Sequence, residues 1–136
     1  MKLFIFLMML GLSGLVNADW RSEANWQLVN ETPGGEISLF YDPSTVKTIG
    51  SNIELWTLLS SHTSEYIGGK GFKSRGMKTL LDCKQSRYKR LSMVLYEGFN
   101  GDGKIIQTMD AEGMGIAQWE SAVPGSLFAT LFYLCK

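Results

Sequence analysis

Between Lys70 and Arg90 the chain carries eight bases, Lys70, Lys73, Arg75, Lys78, Lys84, Arg87, Lys89 and Arg90, against one acid, Asp82. The segment is net +7, and the chemistry open to it is recognition of an anion: a sulfated glycan, an acidic protein, lipopolysaccharide or nucleic acid. The competing reading is structural. Lysines on edge strands discourage sheet-to-sheet aggregation, and alternation along a strand sends neighbouring side chains to opposite faces.

Other chemistry is poorly supported by the residues present. Gly68-Gly69-Lys70-Gly71 lacks the GxxxxGK[ST] spacing of a phosphate loop, and no helix follows it. Asn100-Gly101-Asp102-Gly103-Lys104 looks briefly like a calcium loop. Counted from Asn100, Lys104 stands where an oxygen ligand is needed, Ile105 replaces the glycine and Ala111 replaces the bidentate glutamate. A turn is the better reading. His62 is the only histidine and is flanked by Ser60, Ser61 and Ser64, but a catalytic triad also needs an acid and a defined geometry. Two cysteines and one histidine do not make a zinc site. Trp20, Trp26, Trp56 and Trp119 could stack on sugars, though such rings more commonly pack cores and rims. The expectation is a non-enzymatic binding protein with no metal and no cofactor.

The whole chain has 136 residues, 45% hydrophobic and 19% charged, with a formal charge of zero. This is a globular composition, and it does not suggest bulk nucleic-acid binding. Residues 1–18 read as a secretory signal peptide. Lys2 supplies the positive start, Leu3 to Leu15 the apolar run, and Val16-Asn17-Ala18 the small-residue cleavage pattern. Thirteen apolar residues at about 1.5 Å each fall short of a bilayer core of about 30 Å. Residues 19–136 are then one domain, with net charge −1. Outside the basic segment this domain holds four bases and twelve acids, a net of −8, so near-neutrality conceals a dipolar charge pattern. Export makes the cysteine pair meaningful. Cys83 and Cys135 allow one intramolecular connectivity, which an oxidising compartment favours; an intermolecular bridge and two buried thiols are the alternatives.

The elements that must carry these residues read mainly as short strands. Trp26 to Thr32 and Glu36 to Asp42 flank Pro33-Gly34-Gly35 as a hairpin, and Asp42-Pro43-Ser44 stops the second strand. Val46 to Ile49 is a short strand, and Ile53 to Ser61, apolar on both alternating sets, a central one. His62 to Phe72, with Gly68, Gly69 and Gly71, reads as a loop. Lys73 to Lys84 and Tyr88 to Phe99 alternate as strands, and Asn100-Gly101-Asp102-Gly103 turns the chain into Lys104 to Met109. After Pro124-Gly125-Ser126, the spacing of Leu127, Phe128, Leu131, Phe132 and Leu134 is helical, with Ser126 as N-cap. The predicted class is α+β: an antiparallel sheet of six or seven strands with a short C-terminal helix packed on one face.

In order, FYDPSTV (40–46), IELW (53–56), KSRGMKTLLDCKQSRYKRLSMVLYEG (73–98), NGDGK, QWESAVPGS and a terminal LFYLCK resemble the bacterial surface-adhesin protein E family across nearly the whole exported chain. The resemblance implies an antiparallel sheet with a C-terminal helix held by a Cys83–Cys135 bridge, in a Gram-negative envelope protein. It also implies adhesion, since the named adhesin of the family binds host matrix and serum proteins. Family members are commonly surface lipoproteins, and this chain departs from them in having no cysteine at the cleavage site. It is expected to be exported, periplasmic or at the cell surface, and not lipidated. The basic segment lies inside the matched region and is the expected contact for a protein or polyanion. An accessory periplasmic domain that pairs with another envelope protein through a sheet edge is the second reading, and strand edges also offer a route to a homodimer.

Overall fold

The computed structural model describes residues 24–136, so the signal-peptide reading of 1–18 lies outside the described residues. Eight strands form one antiparallel sheet: β1 (Gln27–Glu31), β2 (Ile37–Tyr41), β3 (Lys47–Ile49), β4 (Asn52–Ile67), β5 (Lys70–Asp82), β6 (Arg87–Tyr96), β7 (Ile105–Asp110) and β8 (Trp119–Ser121). The strand order is β1-β2-β4-β5-β6-β7, with β3 also paired to β4 and β8 to β6.

The turns form where the sequence places them. Gly34 and Gly35 take φ of 89° and 72°, which closes the β1–β2 hairpin at little steric cost. At the end of β2, the Asp42 carboxylate accepts hydrogen bonds from the Ser44 N–H and hydroxyl at 3.0 and 2.7 Å. Pro43 then begins a single 3-10 turn. Thr45 Oγ1 donates to the Asp42 carbonyl and accepts the Trp56 N–H, which ties this turn to β4.

Two expectations need correction. Residues 62–72 are not a loop: β4 and β5 continue through them as one long hairpin, and only Gly68 and Gly69 turn. Gly71, expected in that loop, pairs with Tyr66 across the hairpin, where an added Cβ would lie 3.2 Å from that ring. A large ring over a strand glycine restores some of the packing the glycine lacks. The sheet also has eight strands instead of six or seven. The extra strand, β8, is only three residues long and too short to show a period.

The C-terminal helix is a further correction, because Phe128–Cys135 winds as a 3-10 helix and makes the domain mainly β. Eight residues cannot hold an α-helix by themselves, so packing decides the winding. At three residues per turn, Phe128, Leu131 and Leu134 fall in line, and all three join the cluster of Leu39, Ile53, Leu55 and Leu81 on the sheet. Ser126 still supports the start, accepting the Ala129 N–H through its hydroxyl. The opposite face has a second cluster, Leu58, Val94 and Tyr96 with Trp26, Phe40 and Trp56 around them. Over it folds the 98–103 turn. Ser74 Oγ donates to the Gly98 carbonyl and accepts the Gly101 N–H, while Ser60 Oγ accepts the Asn100 N–H.

Cys83 and Cys135 are joined, with Cα atoms 5.6 Å apart and a sequence separation of 52. The bridge fastens the last turn of the 3-10 helix to the end of β5. A loop of this length corresponds to about 4 kcal/mol in the chain-entropy account. The C83S/C135S variant is therefore expected to lose about 4 kcal/mol of unfolding free energy, measured by urea denaturation. Unchanged stability would show that burial of Leu131 alone holds the helix.

Candidate functional site

Because side chains alternate along a strand, the eight bases do not share one face. The β5–β6 register places Lys89 opposite Leu80 and Arg87 opposite Asp82, on the same side of the sheet as Lys78. Arg90 lies opposite Thr79 and Arg75 opposite Leu95, on the other side, which also carries Leu81 and the C-terminal helix. Lys70 begins β5 beside the Gly68-Gly69 turn, and Lys84 is exposed in the turn between β5 and β6.

Four of the bases are paired with carboxylates. Arg75 contacts Glu65 at 2.6 Å, Lys78 contacts Glu54 at 3.8 Å and Arg87 contacts Asp82 at 2.8 Å. Arg90 holds Glu120 on β8 through both Nε and Nη2. Three of these acids come from outside the segment. The half-exposed pairs of Arg75 with Glu65 and Arg90 with Glu120 contribute only about 0.2–1 kcal/mol each, so they neutralise charge more than they stabilise the fold, whereas Asp82 is buried. Among the described residues, Lys70, Lys73, Lys84 and Lys89 have no carboxylate partner. The remaining positive charge is therefore carried by these four lysines, at both ends of the β5–β6 pair.

Each end has an aromatic support. At one end Lys73 Nζ lies 4.5 Å from the centre of the Phe99 ring, and the His62 ring is 5.5 Å from the same ring. His62, Phe99, Asn100, Ser38, Phe40 and Ser60 border a hollow of about 290 Å³ here. The serine hydroxyls next to His62 are engaged elsewhere: Ser60 accepts the Asn100 N–H, and Ser61 shares a bond with Thr63. At the other end Arg87 and Lys89 both lie over Trp119, each 4.5 Å from its ring centre. The role of Trp119 could not be read from the sequence, since nothing local links it to residues some thirty positions earlier. Trp26 and Trp56 pack in the core cluster, apart from Trp119, and Trp20 lies outside the described residues. No group of three His, Cys, Asp or Glu side chains converges as metal ligands among the described residues.

Asp82 organises the Trp119 end. Its Oδ2 accepts the Arg87 Nε–H, and its Oδ1 accepts the N–H groups of Lys84 and Gln85 at 3.1 and 3.2 Å. The Arg87 hydrogen bond above all, helped by the two backbone bonds and opposed by desolvation, holds this carboxyl below the usual carboxylate range. On the opposite face burial raises the Tyr88 hydroxyl, with Glu120 adding to the effect. The Tyr88 ring stacks on Phe128 and so helps seat the C-terminal helix.

Residues 26–136 match the family described as Surface-adhesin protein E. The chain belongs to that family. Among solved structures, crystal form II of Haemophilus influenzae protein E aligns with a TM-score of 0.58 at 9% identity, covering 79% of this chain and 85% of that one. A second structure of Haemophilus influenzae protein E gives a TM-score of 0.56 at 9% identity, covering 79% and 81%. Identity this low shows a shared fold and nothing finer. No curated protein matches the chain. Family membership supports a surface-adhesin-like binding role and an exported or cell-surface setting. The resemblance read from the residue motifs is thereby confirmed.

The Asp82 shift has a consequence for acid stability. A carboxyl whose folded value lies below its unfolded one adds stability that is complete above the unfolded value, about pH 4, and is lost as pH falls through the folded one. Wild type should therefore exceed Asp82→Asn in urea stability at pH 7. That difference should shrink below about pH 4. A gap that persisted unchanged to pH 2 would show that Asp82 titrates normally.

Proposed function

We propose that the protein is an exported, non-enzymatic binding module that contacts an acidic protein or polyanion through the basic residues of β5, the following turn and β6. The observation that carries this reading is the set of four lysines, Lys70, Lys73, Lys84 and Lys89, left without carboxylate partners among the described residues in a domain that is otherwise acidic. Unpaired cations on a half-exposed sheet raise the local concentration of anions and speed their association. The weak pairs beside them can be exchanged for a partner with denser negative charge. Family membership supports the adhesin-type role, and the Cys83–Cys135 bridge suits an oxidising compartment. Among the described residues no helix is long and apolar enough to cross a membrane.

An accessory role beside another envelope protein is the second reading. It is favoured by β7, which pairs with β6 on one side, has no other strand partner among the described residues, and leaves Ile105 45% exposed. A sheet edge of this kind can accept a strand from a partner.

Binding to immobilised matrix proteins and to heparin, titrated with salt, separates the two. The first reading expects binding that weakens steeply with salt and falls at least tenfold when Lys70, Lys73, Lys84 and Lys89 are all changed to Gln. Binding unaffected by those four changes would rule out the basic residues as the contact. A partner retained at high salt and lost on placing a proline in β7 would support the edge instead.

A further inference from the structure

We propose that the corner of the sheet formed by Arg87, Lys89 and Trp119 is a binding site for a sulfated sugar chain, which rests on the basic-segment reading and narrows it to one end and one class of ligand. Arg87 is held from two directions. Its Nε–H is bonded to Asp82 Oδ2 at 2.8 Å, and its guanidinium carbon lies 4.5 Å from the centre of the Trp119 ring. The terminal nitrogens, Nη1 and Nη2, have no partner among the described residues. They present a fixed two-pronged donor whose plane is already set by the ring and the carboxylate, the geometry that suits two oxygens of one tetrahedral or planar anion.

Lys89 supplies a second positive group on the same face. Its ammonium lies 4.5 Å from the same ring centre and has no carboxylate partner among the described residues. Arg87 and Lys89 are two residues apart on β6, so their stems are separated by about 7 Å along the strand. Successive charges on an extended chain can engage both. Because the ring and Asp82 already hold the side chains, less rotamer freedom remains to be lost on binding. The other arginines offer less. Arg90 commits both Nε and Nη2 to Glu120, and Arg75 commits Nη2 to Glu65.

The strand pairing favours a glycan over an acidic peptide. At Arg87 to Lys89, β6 is paired with β5 on one side and with β8 on the other. β6 therefore has no free backbone edge there, and the outer edge of β8 is only three residues long, too short to hold a peptide as an added strand. Recognition at this corner rests mainly on side chains, and a linear sulfated sugar carries its charges on substituents that side chains can reach. Sulfate also stays ionised throughout the range in which Asp82 is charged, so the Arg87 brace and the ligand charge are present together.

Heparin oligosaccharide is the probe, titrated against the oxidised protein at low and physiological salt. The double variant R87Q/K89Q should lose at least about tenfold in affinity. R87K, which keeps the charge but removes the fork, should lose several-fold, and W119A should do the same by freeing both cations. K70Q/K73Q, at the other end of β5, should lose less than R87Q/K89Q, and K47Q/K104Q, outside the basic segment, should stay within twofold of wild type. Thermal melting of each variant checks that it is folded. Retention of heparin affinity by R87Q/K89Q would overturn the assignment, as would a loss confined to K70Q/K73Q. Binding of non-sulfated hyaluronan as tight as that of heparin would overturn the sulfate preference. If wild type ignored heparin but bound an acidic protein through Lys70 and Lys73, this site would be wrong while the basic-segment reading stood.

Discussion

Every other part of the sheet is laid against the β4–β5 ladder. β2 and β3 pair with β4, β6 pairs with β5, and the remaining strands attach to those neighbours. Both strands are buried on alternate residues facing each side, with Leu55, Thr57, Met77, Thr79 and Leu81 toward the C-terminal helix and Leu58 toward the Trp26–Tyr96 cluster. A register slip of one residue would exchange these faces and expose the core, so the pairing is strongly specified. The buried hydroxyls follow the same rule. Thr57 and Thr79 bond each other at 3.1 Å and share the Met77 carbonyl, which satisfies them inside an apolar layer.

The ladder also decides what happens to charge. A run of bases in sequence becomes, on adjacent antiparallel strands, two opposed sets with different neighbours. Arg90 meets Glu120 because β8 lies alongside β6, and Lys78 meets Glu54 across from β5 to β4. Acids distributed along the chain are thereby brought to four of the eight bases of the segment, and among the described residues its lysines at the ends of the β5–β6 pair stay without a carboxylate. The same arrangement brings Phe99 and Trp119 to those ends, where each ring orders a cation. A cation supported by a ring and a carboxylate is a better recognition element than a freely rotating one, because its position is set before the partner arrives.

The C-terminal segment shows how little local sequence preference matters once packing and a covalent link are present. Phe128–Cys135 has no charged residue and too few residues for an independent helix, yet it is seated by Leu131 in the core, Phe128 against Tyr88, and Cys135 on Cys83. Its 3-10 winding is the compromise between these anchor points, and the spacing of apolar residues alone does not distinguish it from an α-helix. The neighbouring Tyr41 hydroxyl, with desolvation by burial, raises the Tyr133 value.

The sequence by itself determined most strands, the first hairpin and the turn after β6, because alternation and glycine-rich turns are local properties with a direct physical cause. It determined that Cys83 and Cys135 had one another as the only intramolecular choice, and its motif order was enough to indicate the family. The continuation of β4 and β5 through residues 62–72, the strand β8 and the winding of the C-terminus were decided only by tertiary structure. Each depends on a partner strand or a packed face far along the chain. The same holds for the site. Residue types announced a positive segment, but strand pairing decided which bases are neutralised and which lie over Trp119, since Coulomb and cation–π energies depend on distance in space and not on distance in sequence.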